Sequence, residues 1–319
     1  MPRIRARLTS LREGEISPEA YRFITAVALV ALGTIIVSGA AVRLTGSGMG
    51  CPTWPTCETG SIVPRGATGD HGWIEFLNRL FTGAVSIAVA LAVLGSRRLR
   101  TKRPDLTLLS WGLVAGVFAQ ALLGGLVVLL DVTPVAVAAH YLVSSVLVCT
   151  AVVLHHRAGQ PPGPRRPAAT PELRRWSLGL VGLASLVLVT GTVVTGAGPH
   201  GGDKAAERLP FTVRSVVPIH STAVWVLLLT TLAVLQRVER GDAAPGAAGR
   251  GRLLIGVIVG QGAIGYLQYF TGVPEGLVGL HVMGSVLVWV AVLRFHLGLT
   301  EPLPAVGPHT GADAVGAAP

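Results

Sequence analysis

The sequence predicts an all-α integral membrane protein of eight transmembrane helices, arranged as two pseudo-symmetric four-helix bundles with both termini in the cytoplasm. Three observations predict it: long apolar runs, arginine confined to alternate connections, and a second half that repeats the first. Of the 319 residues 13% are charged, against about a quarter in a soluble domain. Mean hydropathy is +0.61.

The runs free of Asp, Glu, Lys and Arg are Phe23–Val42, Leu80–Ser96, Leu106–Leu130, Val132–Leu154, Trp176–Gly202, Ser215–Gln236, Leu253–Pro274 and Gly276–Leu293. Most reach the roughly 20 residues that cross about 30 Å of hydrocarbon. In lipid such runs are helical, because every backbone polar group needs an internal partner.

Arginine sets the orientation. The pieces 1–21, 97–106, 157–175 and 237–252 hold 18 Lys+Arg, and the intervening connections 44–78, 131–134, 197–214 and 271–276 hold 4. The positive-inside rule places the first set in the cytoplasm. The net charge of +10 is then a topological signal, and no nucleic-acid partner is expected. Arg3, Arg5, Arg7 and Arg12 precede a first run too long for the core of a cleaved signal, so that run reads as a retained anchor. The organisation expected is a cytoplasmic N-terminus (1–21), a first four-helix half (22–156), a basic linker (157–175), a second half (176–297) and a disordered tail (298–319).

The repeat is specific. At an offset of 141 residues, Gln120, Gly124, His140, Ser144 and His155 fall on Gln261, Gly265, His281, Ser285 and His296. Val37-Ser38-Gly39 corresponds to Val189-Thr190-Gly191, and an offset of 142 brings Asn78 onto His220. Each half starts inside and has an even number of spans, so the repeat is parallel, about an axis along the membrane normal.

His140, His220 and His281 fall near the outer ends of inward-running spans. A single histidine there is most simply a helix–helix hydrogen bond. Three at one depth, two of them related by the repeat, point to ligation, and neutral imidazole suits heme iron. His220 and His281 are expected to form a bis-histidine pair on facing helices, with His140 facing Asn78 in the first half. Glu75 shares a helical face with Asn78, the second run being expected to begin near Asn78, and Arg79 follows directly. Glu75 reads either as an interfacial carboxylate paired with Arg79 or as one aimed into the first-half pocket.

Cys51 and Cys57 lie in C-P-T-W-P-T-C within the outer loop 44–78. A structural disulfide and a redox-active pair both fit this spacing, and zinc would want two more ligands. Cys149 reads as inert packing. His155, His156 and His296 fall at the inner interface, where anchoring is expected, while His71 and His200 fall in outer loops and His309 in the tail.

Together these residues resemble the heme A synthase family, of the actinobacterial kind. The resemblance runs from about residue 20 to 298, through R-L-T-G-S-G-M-G-C-P-T-W-P-T-C (Arg43–Cys57), I-E-F-L-N-R (Ile74–Arg79), V-T-G-A-G-P-H-G-G-D (Val194–Asp203) and the three histidine contexts. It implies an oxidoreductase of the plasma membrane that converts the C8 methyl of heme O to a formyl group by successive hydroxylations, giving heme A for cytochrome oxidase assembly. On this resemblance His220 and His281 hold a heme b cofactor. His140 ligates the substrate heme in a site with Asn78 and Arg79, Glu75 supports the chemistry, and Cys51–Cys57 is the outer-loop pair.

Partners expected are heme O, heme A and the lipid bilayer, with the heme O synthase, an unnamed electron donor and a second copy of the chain as candidate contacts. One departure stands out: many family members carry histidine where this chain has Asn78. The first-half iron is then expected to be five-coordinate, water-ligated, or met by His71 from the loop. The alternative is a diheme b-type cytochrome that transfers electrons without modifying heme. It shares the histidines but has no need of Glu75. A small-molecule transporter would want broken helices and midplane charges, which the sequence lacks.

Overall fold

The computed structural model describes residues 14–66 and 69–303. Eight helices, each long and apolar enough to cross a membrane, account for most of it. They are α1 (Pro18–Leu44), α2 (Asp70–Arg97), α3 (Pro104–Leu129), α4 (Pro134–Ala158), α5 (Pro171–Ala197), α6 (Val213–Arg237), α7 (Ala247–Phe270) and α8 (Glu275–Leu297). A π-helical turn, Val238–Asp242, extends α6. Arg3, Arg5, Arg7, Arg12 and His309 lie outside the described residues.

Local sequence accounts for the helix starts. Pro18, Pro104, Pro134 and Pro171 open their helices, where a missing N–H costs nothing and the fixed φ is already helical. Ser17, Thr170 and Thr212 accept hydrogen bonds from Ala20 N, Leu173 N and Ser215 N, each satisfying one orphan donor of a first turn.

The second span departs from expectation. Helix α2 begins at Asp70, eight residues before Asn78, so His71 is helical too and the connection before α2 is shorter than 44–78, while Glu75 and Asn78 share a helical face as expected. The charges that end the apolar run are absorbed within the helix. Glu75 and Arg79, one turn apart, pair at 2.6 Å, and this i,i+4 geometry supports the helix.

The residues that follow α8 are also placed differently from expectation. Thr300–Pro302, within the tail expected to be disordered, pairs antiparallel with Arg165–Pro167 of the linker. The linker is tied further by Ala168 N to Leu299 O and Thr170 N to Asp242 O, both 2.9 Å.

The halves meet through α1 against α8, α4 against α5, and α4 against α8. Two polar contacts fasten the last pair: Tyr141 OH to Ser285 Oγ and Trp289 Nε1 to Ser145 O, both 2.8 Å. Val30, Leu80, Phe118, Leu178, Leu229 and Phe270 face outward, which in a bilayer is the favourable side for apolar surface.

Several backbone and side-chain features recur between the halves. Asp131-Val132, between α3 and α4, and Gly272-Val273, between α7 and α8, are two consecutive left-handed residues at the same offset of 141. A β-branched valine there is strained, yet both turns use one. His155 Nδ1 meets Thr25 Oγ1 (3.1 Å), and His296 Nδ1 meets Ser177 Oγ (2.9 Å). Thr25 and Ser177 are 152 residues apart, the same offset as Ser38 and Thr190.

Candidate heme sites

Asn78, His140, His220 and His281 lie six to eight residues into α2, α4, α6 and α8. At 1.5 Å per residue that is about 9–12 Å from the N-terminal ends of these helices, so all four share one depth.

In the second half, the His220 and His281 rings stand 6.5 Å apart, centre to centre, at an interplanar angle of 75°. An imidazole nitrogen lies about 1.1 Å from its ring centre and binds a metal at about 2.0 Å, so two axial imidazoles on one ion place ring centres roughly 6 Å apart. The pair fits that geometry.

The hydrogen bonding selects the required tautomer. Thr190 Oγ1 lies within donating distance of the Leu186 and Val187 carbonyls (3.0 and 3.1 Å). Its hydroxyl hydrogen is thereby committed, so it accepts from His220 Nδ1–H at 3.0 Å. Nε2 of His220 keeps its lone pair, the state a metal ligand needs.

Glycines make room for the rings. A Cβ added at Gly191 would lie 3.3 Å from His220 Cε1, and one at Gly265 3.0 Å from His281 Cε1. Gln261 Nε2 donates to His281 O at 2.7 Å.

The first half repeats this arrangement at one of its two positions. A Cβ at Gly124 would lie 3.4 Å from His140 Cε1, and Gln120 Nε2 donates to His140 O (3.0 Å) and to Ser144 Oγ (2.8 Å). Nδ1 of His140 and of His281, and Oε1 of Gln120 and of Gln261, are buried without a hydrogen-bond partner among the described residues. The same two atoms of the same two residue types are thus left unpaired in each half.

At the other position Asn78 replaces the ring. Ser38 Oγ donates to Asn78 Oδ1 at 2.8 Å, in the place where Thr190 meets His220. A Cβ at Gly39 would meet nothing within 4 Å, because the amide is shorter than the imidazole that fills the corresponding space beside Gly191.

Glu75 is buried and both its oxygens are engaged. Oε2 accepts from Cys51 N (2.8 Å), and Oε1 accepts from Arg79 Nε and Nη2 (3.1 and 2.6 Å). Arg79 also donates to the carbonyls of Cys51 (2.9 Å), Thr53 (3.1 Å) and Thr56 (3.0 Å). Those five bonds use every N–H of the guanidinium. Arg79 therefore clamps the C-P-T-W-P-T-C loop, which the Cys51–Cys57 disulfide closes.

This loop brings in a residue the sequence did not single out. The Trp54 ring lies against α3 at Gly125, where an added Cβ would be 2.6 Å from it. Gly125 adjoins Gly124, the neighbour of His140. The only signal in the sequence was the glycine pair itself.

The remaining histidines are placed elsewhere. His71 sits in the first turn of α2 with Nδ1 2.9 Å from Ser47 Oγ. It is two turns outward of Asn78, so the expectation that it swings in from a loop is corrected to a helical position. His200, in the connection between α5 and α6, donates through Nε2 to Val273 O at 2.8 Å, and its own carbonyl accepts from Arg43. Gly48 N donates to Gly202 O at 2.7 Å, so the glycine-rich loops that follow α1 and α5 meet. His156 bonds to Gln160 at 3.0 Å. Among the described residues no group of three or more His, Cys, Asp or Glu is placed to hold a bare metal ion.

The model of the COX15-CtaA family, cytochrome oxidase assembly proteins, matches residues 22–70 and 67–200. That stretch includes Cys51, Cys57, Glu75, Asn78 and His140, and stops short of His220 and His281. The chain is 34% identical over 134 residues to a protein named heme A synthase from Lysinibacillus sphaericus, 42% of each chain. To a protein of the same name from Macrococcus caseolyticus it is 28% identical over 162 residues, 50% of this chain and 53% of the relative. The matched stretch thus spans about half the length or less of these relatives. With more than half of its length matched by the family model, the chain belongs to the cytochrome oxidase assembly protein family.

Proposed function

We propose that this protein is a heme A synthase of the plasma membrane, with both termini cytoplasmic, oxidising the C8 methyl of heme O to a formyl group by successive hydroxylations. The name its relatives carry supports the reading. The observation that carries it is the His220–His281 pair, 6.5 Å apart between α6 and α8.

In this reading His220 and His281 hold heme b through their Nε2 atoms, with Thr190 fixing the His220 tautomer. Heme b, when bound, supplies one-electron redox chemistry. His140 ligates the substrate heme, and Gln120 and Gly124 set its ring. Asn78 offers an amide in place of a second imidazole. Its Nδ2 donors have no partner among the described residues, Oδ1 being held by Ser38.

Glu75 is the catalytic candidate. It lies one turn from Asn78 on the same face of α2, and the Cys51 N–H and Arg79 fix its carboxylate. Arg79 enters through the loop it holds. A carboxylate so placed can take up or return a proton at its Oε atoms as the substrate methyl is oxidised.

The test is pigment extraction and mass analysis from cells expressing this chain beside a heme O source. Heme A is expected; heme O alone contradicts the proposal. The diheme cytochrome reading predicts that Glu75→Ala leaves redox function intact, whereas the synthase reading predicts that heme A formation stops.

A further inference from the structure

The two halves close the gap between their second and third helices by different means. In the second half, helix side chains do it. Tyr266 OH of α7 bonds Ser221 Oγ (2.7 Å) and Trp225 Nε1 (3.0 Å) of α6. The repeat maps Tyr266 onto Gly125 and, at an offset of 142, maps Ser221 and Trp225 onto Arg79 and Gly83. The first half therefore lacks both aromatic side chains of the seal. A Cβ at Gly83 would meet nothing within 4 Å.

What covers Gly125 instead is Trp54, carried in from the disulfide-bonded loop. The loop is held on α2 by Arg79, which stands where the second half has Ser221. Trp54 is 38% exposed, and Leu80 and Leu122 on the flanking helices face outward. In the second half, opening the gap would require parting two helices bridged by their own side chains. In the first half it requires only that a loop lift off a glycine surface.

We propose that the gap between α2 and α3 is a lateral portal through which a planar, apolar macrocycle enters the first-half site from the outer leaflet, and that loop 51–57 is its plug, with Trp54 as the seated ring. The proposal rests on the two-site reading given above, and it names the route to the site that reading assigns to substrate. An aromatic residue at this depth could serve simply as an interface anchor, and the experiment separates the two roles.

The full-length protein in lipid nanodiscs is loaded with ferric protoporphyrin IX as the probe. Release to excess apomyoglobin is followed separately for the first-half heme, through its reduced carbon monoxide complex, and for the low-spin second-half heme. Trp54→Ala is expected to speed first-half release by about tenfold, the ratio that ~1.4 kcal/mol of lost barrier produces, with Trp54→Phe close to the unsubstituted protein. Gly83→Trp, which supplies the missing seal, is expected to slow uptake from phosphatidylcholine vesicles. Second-half heme content and release stay unchanged in all three variants, which shows that the fold is kept.

Equal first-half release rates in Trp54→Ala and the unsubstituted protein would reduce Trp54 to an anchor and overturn the portal. If the unsubstituted protein takes up a single heme, the two-site reading itself falls, and the portal with it.

Discussion

The first and second halves share a backbone plan and differ at the positions that decide chemistry. Both bury one histidine against a glycine and brace it with a glutamine at the same offset. At the partner position the second half has His220, locked by Thr190, and the first has Asn78, held by Ser38 beside an unfilled glycine. The second half seals its flank with Tyr266 and Trp225, and the first with a stapled loop. The second half thus sets two imidazoles opposite one another where the first sets one imidazole and an amide, with a buried carboxylate one turn away. On the proposed reading, a cofactor site and a substrate site are made from one framework by changing a few side chains.

The largest effect expected is on heme content. If His220 and His281 are the two ligands proposed, His220→Ala or His281→Ala should cost the purified protein the low-spin heme of the second half, as measured by pyridine hemochrome. Retention of full low-spin heme in both variants would dissolve the comparison at its root. Next comes Glu75. Replacing it by alanine should lower heme A formation by about 10²–10⁴-fold, the usual worth of a positioned acid–base group, while second-half heme stays in place.

Asn78→His should convert the first half into a copy of the second, since the space beside Gly39 can take the ring. Its spectrum should become six-coordinate and low-spin, and carbon monoxide binding should fall to near zero. Thr190→Val should weaken heme retention in the second half by about tenfold, because loss of an orienting partner typically costs 10–100-fold in affinity. The smallest effect separates two equivalent glycines. Gly191→Ala pushes a methyl to 3.3 Å from His220 and should perturb the second-half spectrum, whereas Gly39→Ala meets nothing within 4 Å and should leave the first-half spectrum unchanged.

Much of this was legible in the sequence, because its signals are periodic and long. The eight spans follow from hydropathy, and the pairing of His220 with His281 follows from the repeat. The start of α2 was not legible. Asp70 and His71 look like loop residues because the charges of Glu75 and Arg79 end the apolar run, until Arg79 is seen neutralising Glu75 and bonding three loop carbonyls. The short pairing of 300–302 with 165–167 was hidden because three residues carry no pattern. Trp54 on Gly125 was hidden because a glycine does not announce what covers it. The left-handed Val132 and Val273 go against local preference, so only tertiary context could place them.

The central claim is that the two sites are unequal, one doubly ligated and one open. Carbon monoxide titration of the reduced, fully loaded protein tests it most directly. The account predicts one carbon monoxide bound for every two hemes, with the low-spin heme unreactive. No binding, or binding at both hemes, would contradict it.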